Sequence, residues 1–311
     1  MLVALTGATG FVGRFIVEHL LRREHEVRAL VRDPSRAGWL RDRGVALVPG
    51  DLEDQEALRS LTRGAGAVVH LVGIILEIGR QTFERVHVVG TRHLVDAARE
   101  AGVGRFVHMS ALGARPDAGA TPYHRTKAAA EDVVRTSGLS HAILRPSLIA
   151  APENEVLRTL VTMLRMSPIV PVIGNGLYQL QPVAADDVAD AFVTACEDPS
   201  ITGTFDVAGH ASMTYHQLLD ELEQALGVRR RRVAVPVTVV RFAANAGMVL
   251  PNLNPITPDQ LQMLLEGNTT THNALLTVFG VGTPRPFADV AREICAPYAA
   301  IGVGDLPSGA R

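Results

Sequence analysis

Residues 1–14, MLVALTGATGFVGR, combine the signals that decide the fold. Leu2 to Leu5 are apolar without alternation, which indicates a strand buried on both faces, as in a parallel sheet. Gly7, Gly10 and Gly13 follow at three-residue spacing, and apolar residues then recur at helical spacing. A glycine turn alone is a weak signal, because tight turns that bind nothing have the same residues. The strand before it and the helix after it favour a nucleotide-binding element, whose helix N-terminus would hold a pyrophosphate.

The composition is that of a globular protein of one large or two ordinary domains, with 311 residues, 47% apolar and 20% charged. A formal net charge of -2 gives no reason to expect nucleic-acid binding. Cys196 and Cys295 show no metal-ligand spacing, so we expect two reduced thiols and no metal site. No signal peptide precedes the first strand, and no apolar run reaches the roughly 18 residues of a membrane span. We therefore expect a cytoplasmic protein without a transmembrane segment.

Strands and helices alternate through the first half of the chain. Apolar runs predict strands at residues 26–31, 45–48, 67–72, 105–109 and 141–145, with helices at about 83–101 and after the loop 111–122. This alternation predicts an α/β fold with a doubly wound parallel sheet.

Prolines break the chain into short pieces after Ala150, and the character of the sequence changes there. We assign residues 1–150 to a dinucleotide-binding domain, to which a helix and a strand at about 185–209 return. A smaller, mostly helical domain for a substrate or partner is expected at 151–184 and 210–311. Its predicted helices are 214–226, 236–250 and 258–266, and residues 303–311 predict a disordered tail.

The end of the second predicted strand carries the signal for cofactor choice. In dinucleotide folds this point meets the adenosine ribose, where an acidic residue favours NAD and an arginine favours the 2′-phosphate of NADP. Arg32 stands there, with Arg36 as a weaker helper, so NADP(H) is preferred and NAD(H) is possible. A surface arginine on a loop is the alternative. Asp51 either accepts from the adenine amino group or caps the helix that starts near Glu53.

Tyr123, Lys127 and Ser110 have the residue types and spacing of a hydride-transfer centre. Tyr123 and Lys127 lie four residues apart on a predicted helix and share one face, and Ser110 ends the strand before it. A nearby ammonium lowers the pKa of a phenol from about 10, so the tyrosine could exchange a proton with a substrate oxygen that the serine also bonds. An exposed helix face is the alternative. The position after the fifth strand of a nucleotide-binding sheet favours the cofactor-proximal site.

Several motifs recur in the order seen in one superfamily. TGATGFVG at 6–13, GDL at 50–52, VHLVG at 69–73, Ser110, YHRTK at 123–127, LRPS at 144–147 and QPVAADDVADA at 181–191 resemble extended short-chain dehydrogenases/reductases. The match covers residues 2 to about 210. The phrases VHVVGTRHLVDAA, SALGA and YHRTKAAAE are most similar to an atypical group within it. That group contains the NADPH-binding accessory subunit of respiratory complex I and bacterial homologues often labelled nucleoside-diphosphate-sugar epimerases.

This resemblance implies a Rossmann domain that binds NADP(H) and places Ser110, Tyr123 and Lys127 at the catalytic positions. His87 departs from the pattern, because active extended members have an asparagine there that holds the lysine through water, whereas histidine differs in shape and can be charged. Ala151 replaces a glycine of the loop after the sixth strand. The expected cofactor contacts are Gly7, Thr9, Gly10, Phe11, Val12, Gly13, Arg32, Asp51, Leu52, Leu71, Val72, Gly73, His87, Tyr123, Lys127, Pro146 and Ile149.

Two kinds of function remain open, and the first is favoured. The first is an NADP(H)-dependent oxidoreductase or epimerase-like enzyme, whose substrate the sequence does not name. The second is a non-catalytic NADPH-binding subunit, an assembly factor of a respiratory complex or a redox sensor. The basic run at residues 229–232 and the apolar segment that follows make 229–250 a candidate contact with a protein partner or an anionic membrane surface.

Overall fold

A computed structural model describes residues 1–247 and 256–299. Its strands, numbered in chain order, are β1 Leu2–Thr6, β2 Glu26–Val31, β3 Ala46–Pro49, β4 Ala67–His70, β5 Arg105–Met109, β6 His141–Pro146, β7 Ile149–Ala150, β8 Ile169–Ile173, β9 Gln179–Leu180, β10 Val183–Ala184, β11 Gly203–Val207, β12 Met213–Thr214 and β13 Arg231–Val235. Seven of them form a parallel sheet in the order β11-β6-β5-β4-β1-β2-β3. This order confirms the predicted doubly wound α/β fold.

The helices are α1 Phe11–Arg22, α2 Gly38–Arg41, α3 Gln55–Thr62, α4 Gly90–Glu100, α5 Pro122–Arg135, α6 Glu155–Met166, α7 Ala185–Glu197, α8 Tyr215–Leu226, α9 Val237–Gly247, α10 Pro258–Glu266, α11 Ala274–Thr277 and α12 Phe287–Ala299. A 3₁₀ turn covers Pro34–Ala37 and a π-helix covers Glu84–Val89. Within the described ranges, no helix is long and apolar enough to cross a bilayer. The end of the predicted helix 236–250 and the predicted tail 303–311 lie outside the described residues.

The chain divides into two compact units. Unit 1 comprises Met1–Pro146, Ala185–Val207 and His272–Gly282, and unit 2 comprises the remaining segments. A core of unit 1 lies between the sheet and helices α3 and α4, where Phe106, Leu58 and Leu94 are fully buried. A core of unit 2 joins α6, α8 and α12 through residues such as Leu157, Leu218 and Ile294.

The glycine turn brings α1 almost into contact with the end of β1. Gly7 has φ +84°, a conformation that disfavours a side chain. A Cβ atom at Gly13 would lie 2.2 Å from the Gly7 carbonyl oxygen and 2.8 Å from the Ala8 Cα. Only glycine fits at Gly13, so the spacing that predicted the nucleotide turn is a packing requirement between helix and strand.

The predicted helix at 83–101 begins as the π-helix and becomes α-helical only at Gly90. The change of winding occurs where the helix approaches Leu52, since a Cβ at Gly90 would lie 2.6 Å from Leu52 Cδ1. The Thr91 hydroxyl donates to the carbonyl of His87 across this junction. The hydrophobic periodicity of the sequence did not reveal the π-helical turn.

Two neutral histidines are buried in the sheet. His70 Nδ1 lies 2.7 Å from the Thr6 hydroxyl and His70 Nε2 lies 3.0 Å from the Thr91 hydroxyl. Because Thr91 gives its proton to a carbonyl, His70 carries its own proton on Nε2. The ring of His108 lies 5.2 Å from that of His70, and neither of its nitrogens has a hydrogen-bond partner among the described residues. Burial, reinforced by Lys127, lowers the pKa of His70 to about 3 and holds the pKa of His108 well below its usual range.

These histidines predict a fold that weakens in acid. A histidine neutral in the folded state and titrating near 6.5 when unfolded contributes stability that is complete above that pH and is lost as the pH falls. Each should add a slope of about 1.4 kcal/mol per pH unit to the free energy of unfolding below pH 6. We expect His108→Phe to lower that slope by about 1.4 kcal/mol per pH unit, the contribution of one proton. Urea unfolding between pH 7 and pH 4 measures the slope. The exposed His210→Phe is the control, and an unchanged slope in His108→Phe would contradict the account.

Candidate functional site

The carboxyl ends of the central parallel strands meet at one edge of the sheet, and the predicted site residues follow those ends. A Cβ at Gly7 would lie 3.1 Å from Leu71 Cβ and 3.2 Å from the Val72 nitrogen, so the glycine turn packs against the segment after β4. Leu71 is buried, Val72 is half-buried and Gly73 is exposed. This edge is where open α/β sheets bind ligands.

The N-terminus of α1 has backbone N–H groups that no side chain caps and that could bind an anion. Gly10 is the N-cap, no side chain caps the helix, and its first turn contains no acidic residue. Thr9 and Gly10 are exposed, Phe11 is half-buried and Val12 is buried. Backbone N–H groups at a helix N-terminus without a side-chain cap suit a pyrophosphate.

In the segment after β2, Arg32 lies at the surface and the neighbouring Asp33 is bonded to Ser35 and Arg36. Arg32 is exposed. The Asp33 carboxylate accepts from the Ser35 nitrogen at 3.0 Å and the Ser35 hydroxyl at 2.6 Å, and it pairs with Arg36 at 3.5 Å. These bonds lower the pKa of Asp33, chiefly through Ser35. The carboxylate therefore caps the 3₁₀ turn.

Three residues near this segment were not singled out from the sequence. The Arg14 guanidinium lies 5.1 Å from the ring centroid of Trp39, and that of Arg43 lies 5.5 Å from it. Arg14 directly follows the last glycine of the turn, and Trp39 is the one tryptophan in the chain. An arginine at that position was the available signal, but its stacking on α2 depends on tertiary packing.

Asp51 does not cap α3, so the capping alternative is wrong. The cap is Asp54, whose carboxylate accepts from the Ala57 nitrogen at 3.0 Å. Asp51 is exposed and accepts from the Glu53 nitrogen at 2.8 Å. Leu52 packs against the Gly90 backbone, as described above.

Lys127 is a buried ammonium on α5. Its Nζ donates to the Met109 carbonyl at 2.5 Å, and the residue is 2% exposed. Burial lowers the pKa of Lys127 to about 8, while Glu131, four residues further along the same helix face, acts in the opposite direction. A Cβ at Gly73 would lie 3.7 Å from this Nζ, so the ammonium lies beside the turn after β4.

Tyr123 stands in an aromatic surrounding one turn before Lys127. Ring centroids of Phe83, His87 and His124 lie 5.9, 5.6 and 5.4 Å from its own. Burial raises the pKa of Tyr123 to about 12. From the sequence we expect the pKa of Tyr123 to be lowered. That expectation takes account of the nearby ammonium but not of the apolar rings that desolvate the phenol.

Ser110 directs its hydroxyl away from the expected partner. The hydroxyl donates to Glu131, which is fully buried and forms a two-pronged ion pair with Arg145 at 2.7 and 2.6 Å. Arg135 also pairs with Glu131. The proton that Ser110 was expected to offer to a substrate oxygen is therefore given to Glu131 here.

His87 is neutral and uses both ring nitrogens within the protein. Nε2 accepts from the Ile74 nitrogen at 3.0 Å, so the ring proton is on Nδ1 and is donated to the Thr126 hydroxyl at 2.9 Å. Burial and the Lys127 charge lower the pKa of His87 to about 3. Neither nitrogen is left for a water between this position and Lys127.

Within the described segments, no group of three or more His, Cys, Asp or Glu residues could hold a metal ion.

The last two predicted cofactor residues lie in different units. Pro146 ends β6, is buried, and its carbonyl accepts from the Leu112 nitrogen at 3.0 Å. Ile149 begins β7 in unit 2 and is half-buried. Ala151, the second departure from the family pattern, is buried in unit 2.

The basic run at 229–232 is partly internal. Arg230 donates to the Leu164 carbonyl at 2.6 Å, and Arg232 pairs with Asp220 at 2.6 Å. The other two arginines of the run are exposed. In α9, which follows, Val239 is 56% and Phe242 77% exposed.

Comparison with known proteins shows which family the chain resembles. Residues 7–199 match a family described as NAD(P)H-binding. The ceramide reductase of Caulobacter vibrioides is 33% identical over 237 residues, 75% of this chain and 73% of that protein. The mitochondrial NADH dehydrogenase [ubiquinone] 1 alpha subcomplex subunit 9 of Arabidopsis thaliana is 27% identical over 285 residues, 86% of this chain and 71% of that protein. The fold is shared with UDP-N-acetylglucosamine 4-epimerase from Bacillus cereus, with a TM-score of 0.74 and 18% identity over 99% of each chain.

These matches confirm the resemblance read from the motifs, and they make the chain similar both to oxidoreductases and to a subunit of a respiratory complex. The chain belongs to the NAD(P)H-binding family of extended short-chain dehydrogenase/reductase-like proteins.

Proposed function

We propose that this protein is an NADP(H)-dependent reductase of a carbonyl compound, with Tyr123 as the proton donor and Lys127 as its electrostatic support. The observation that carries the proposal is the buried Lys127 ammonium beside the turn after β4, one helical turn after Tyr123 on α5. The reductase relative, at 33% identity, supports the reaction type. We also propose that residues 1–150 with 185–209 form the dinucleotide-binding domain, and that 151–184 with 210–311 recognise substrate or partner.

The residues at the sheet edge fit a dinucleotide. The glycine turn leaves no room for side chains at Gly7 and Gly13, and α1 begins with N–H groups that no side chain caps. The pyrophosphate would lie on this turn. The cofactor supplies the hydride, at C4 of its nicotinamide.

Tyr123 is suited to give a proton. A phenol with a pKa near 12 is protonated at neutral pH, which is the form that donates to a carbonyl oxygen as it gains negative charge. Lys127, with a pKa near 8, is still mainly charged at pH 7 and would stabilise the phenolate left behind. In this form the phenol can donate the proton that carbonyl reduction needs, whereas the reverse reaction would use the phenolate as the base.

We assign Ser110 and His87 to support rather than to proton transfer. Ser110 would fix α5 through Glu131, and His87 would hold the backbone at Ile74. The substrate oxygen would then rest mainly on the Tyr123 hydroxyl.

NADP(H) is the proposed cofactor form. Arg32 is exposed at the end of β2, where the adenosine 2′-phosphate would lie, and the Asp33 carboxylate beside it accepts from Ser35 through Oδ1. The free cysteines Cys196 and Cys295 are both buried and suit a reducing compartment such as the cytoplasm.

A second candidate function is a subunit or assembly factor that holds NADPH without turnover. The exposed Phe242 and Val239 on α9 support it, as does the relationship to a respiratory-complex subunit. The partner would be a protein or an anionic membrane surface that contacts residues 229–250.

Turnover separates the two candidates. We expect the protein to oxidise NADPH with a ketone or aldehyde from a chemically diverse panel, and Tyr123→Phe to lower kcat by at least about 100-fold while NADPH still binds. Tyr298→Phe, in the core of unit 2, is the control and should keep full activity. Equal activity of Tyr123→Phe would remove the tyrosine from catalysis, and bound NADPH that no substrate oxidises would favour the second candidate.

Cofactor choice is tested at Arg32. Loss of a charge-assisted phosphate contact, and gain of a repelling carboxylate, should weaken NADPH binding to Arg32→Asp by about 10- to 100-fold and leave NADH binding within about twofold. Calorimetric titration of both nucleotides measures this, with Arg63→Asp as the control, at the exposed residue that follows α3. Equal weakening of both nucleotides would take Arg32 out of the 2′-phosphate site.

A further inference from the structure

The loop after β4 exposes an unusual amount of apolar surface. Ile75, Leu76 and Ile78 are 61%, 45% and 68% exposed. Single exposed apolar residues are ordinary on protein surfaces, but three within four positions form a patch that normally has a ligand or partner.

The loop has a defined shape. Ile78 and Gln81 form a two-bond antiparallel bridge, with N···O distances of 3.2 and 3.0 Å, across a turn at Gly79 with φ +58°. The Phe83 nitrogen donates to the Glu77 carboxylate at 2.7 Å. These backbone and side-chain bonds define the conformation of residues 77–83, in which Ile78 is exposed.

Both ends of the loop are attached to rings that contact Tyr123. At its start the Ile74 N–H is held by His87, and at its end is Phe83. The rings of His87 and Phe83 stack at 5.5 Å, and both lie within 6 Å of the Tyr123 ring, at 5.6 and 5.9 Å. The segment that carries the apolar patch is therefore attached at both ends to the aromatic rings beside the phenol, within unit 1.

We infer that Ile75, Leu76 and Ile78 bind the hydrocarbon chain of the substrate, whose carbonyl group would reach Tyr123. The inference rests on the proposed function and names its substrate class, a ketone or aldehyde on a long aliphatic chain. An aliphatic chain suits the patch because its gain comes from burying apolar surface and needs no directed polar partner. The adjoining aromatic wall would continue the same apolar path to the reacting oxygen.

A homologous series of methyl ketones tests the inference. The wild-type kcat/KM should rise from 2-butanone to 2-dodecanone, by up to about fourfold for each methylene that becomes buried. In the double variant Ile75→Ser/Ile78→Ser the rise should flatten, so that the variant loses much more kcat/KM with 2-dodecanone than with 2-butanone. The matched control is Leu276→Ser, at an equally exposed apolar position of unit 1 (58%). A wild-type rate that does not depend on chain length would overturn the inference and leave the proposed function standing.

Binding provides a readout that does not need turnover. Calorimetry should show 2-dodecanone binding to the protein–NADP⁺ complex at least about tenfold more weakly in the double variant than in the wild type or the control. Absence of binding, or equal binding in all three proteins, would refute the hydrocarbon site. Binding without any reduction would instead refute the reductase. Loss of self-association or of vesicle flotation in the double variant, with ketone binding unchanged, would assign the patch to a second copy or a membrane and also refute the inference.

Discussion

The approach of α1 to the end of β1 is the constraint on which the rest of the structure depends. A Cβ atom at Gly13 would lie 2.2 Å from the Gly7 oxygen, so α1 can approach β1 this closely only with glycine at position 13. That contact fixes the helix N-terminus over the carboxyl edge of the sheet. The strand ends beside β1 then meet at the same edge, so the positions that carry Arg32 and Tyr123 are set by the topology.

The chemistry at this edge is governed by burial more than by charge. Burial lowers the pKa of Lys127 to about 8 against the opposing effect of Glu131 one turn away, so the lysine is still mainly charged at pH 7, while the histidines around it are neutral. Glu131 in turn needs Arg145, since an unpaired carboxylate so deep in the protein would be costly. Removal of Arg145 or Glu131 would therefore change the pKa of Lys127 and the hydrogen bond of the Ser110 hydroxyl.

The sequence contains the fold in its apolar runs and glycines, but it contains the site only in part. The four-residue spacing of Tyr123 and Lys127 was enough to predict that they share a helix face, because helix geometry is local. The direction of the Ser110 hydroxyl was not predictable, since it depends on a buried ion pair between Glu131 and Arg145. The protonation of His87 likewise follows from a backbone N–H thirteen residues earlier. Such outcomes are decided by which side chains are buried together.

Binding of NADP(H) at the sheet edge is tested most directly by the mass of the nucleotide that is released when the purified protein is denatured. We expect release of NADPH or NADP⁺, either from the protein as isolated or after incubation with an equal mixture of NADPH and NADH and removal of free nucleotide. Release of NAD(H) from that mixture would contradict the assignment of the 2′-phosphate to Arg32. Release of no nucleotide would contradict the account of the glycine turn itself.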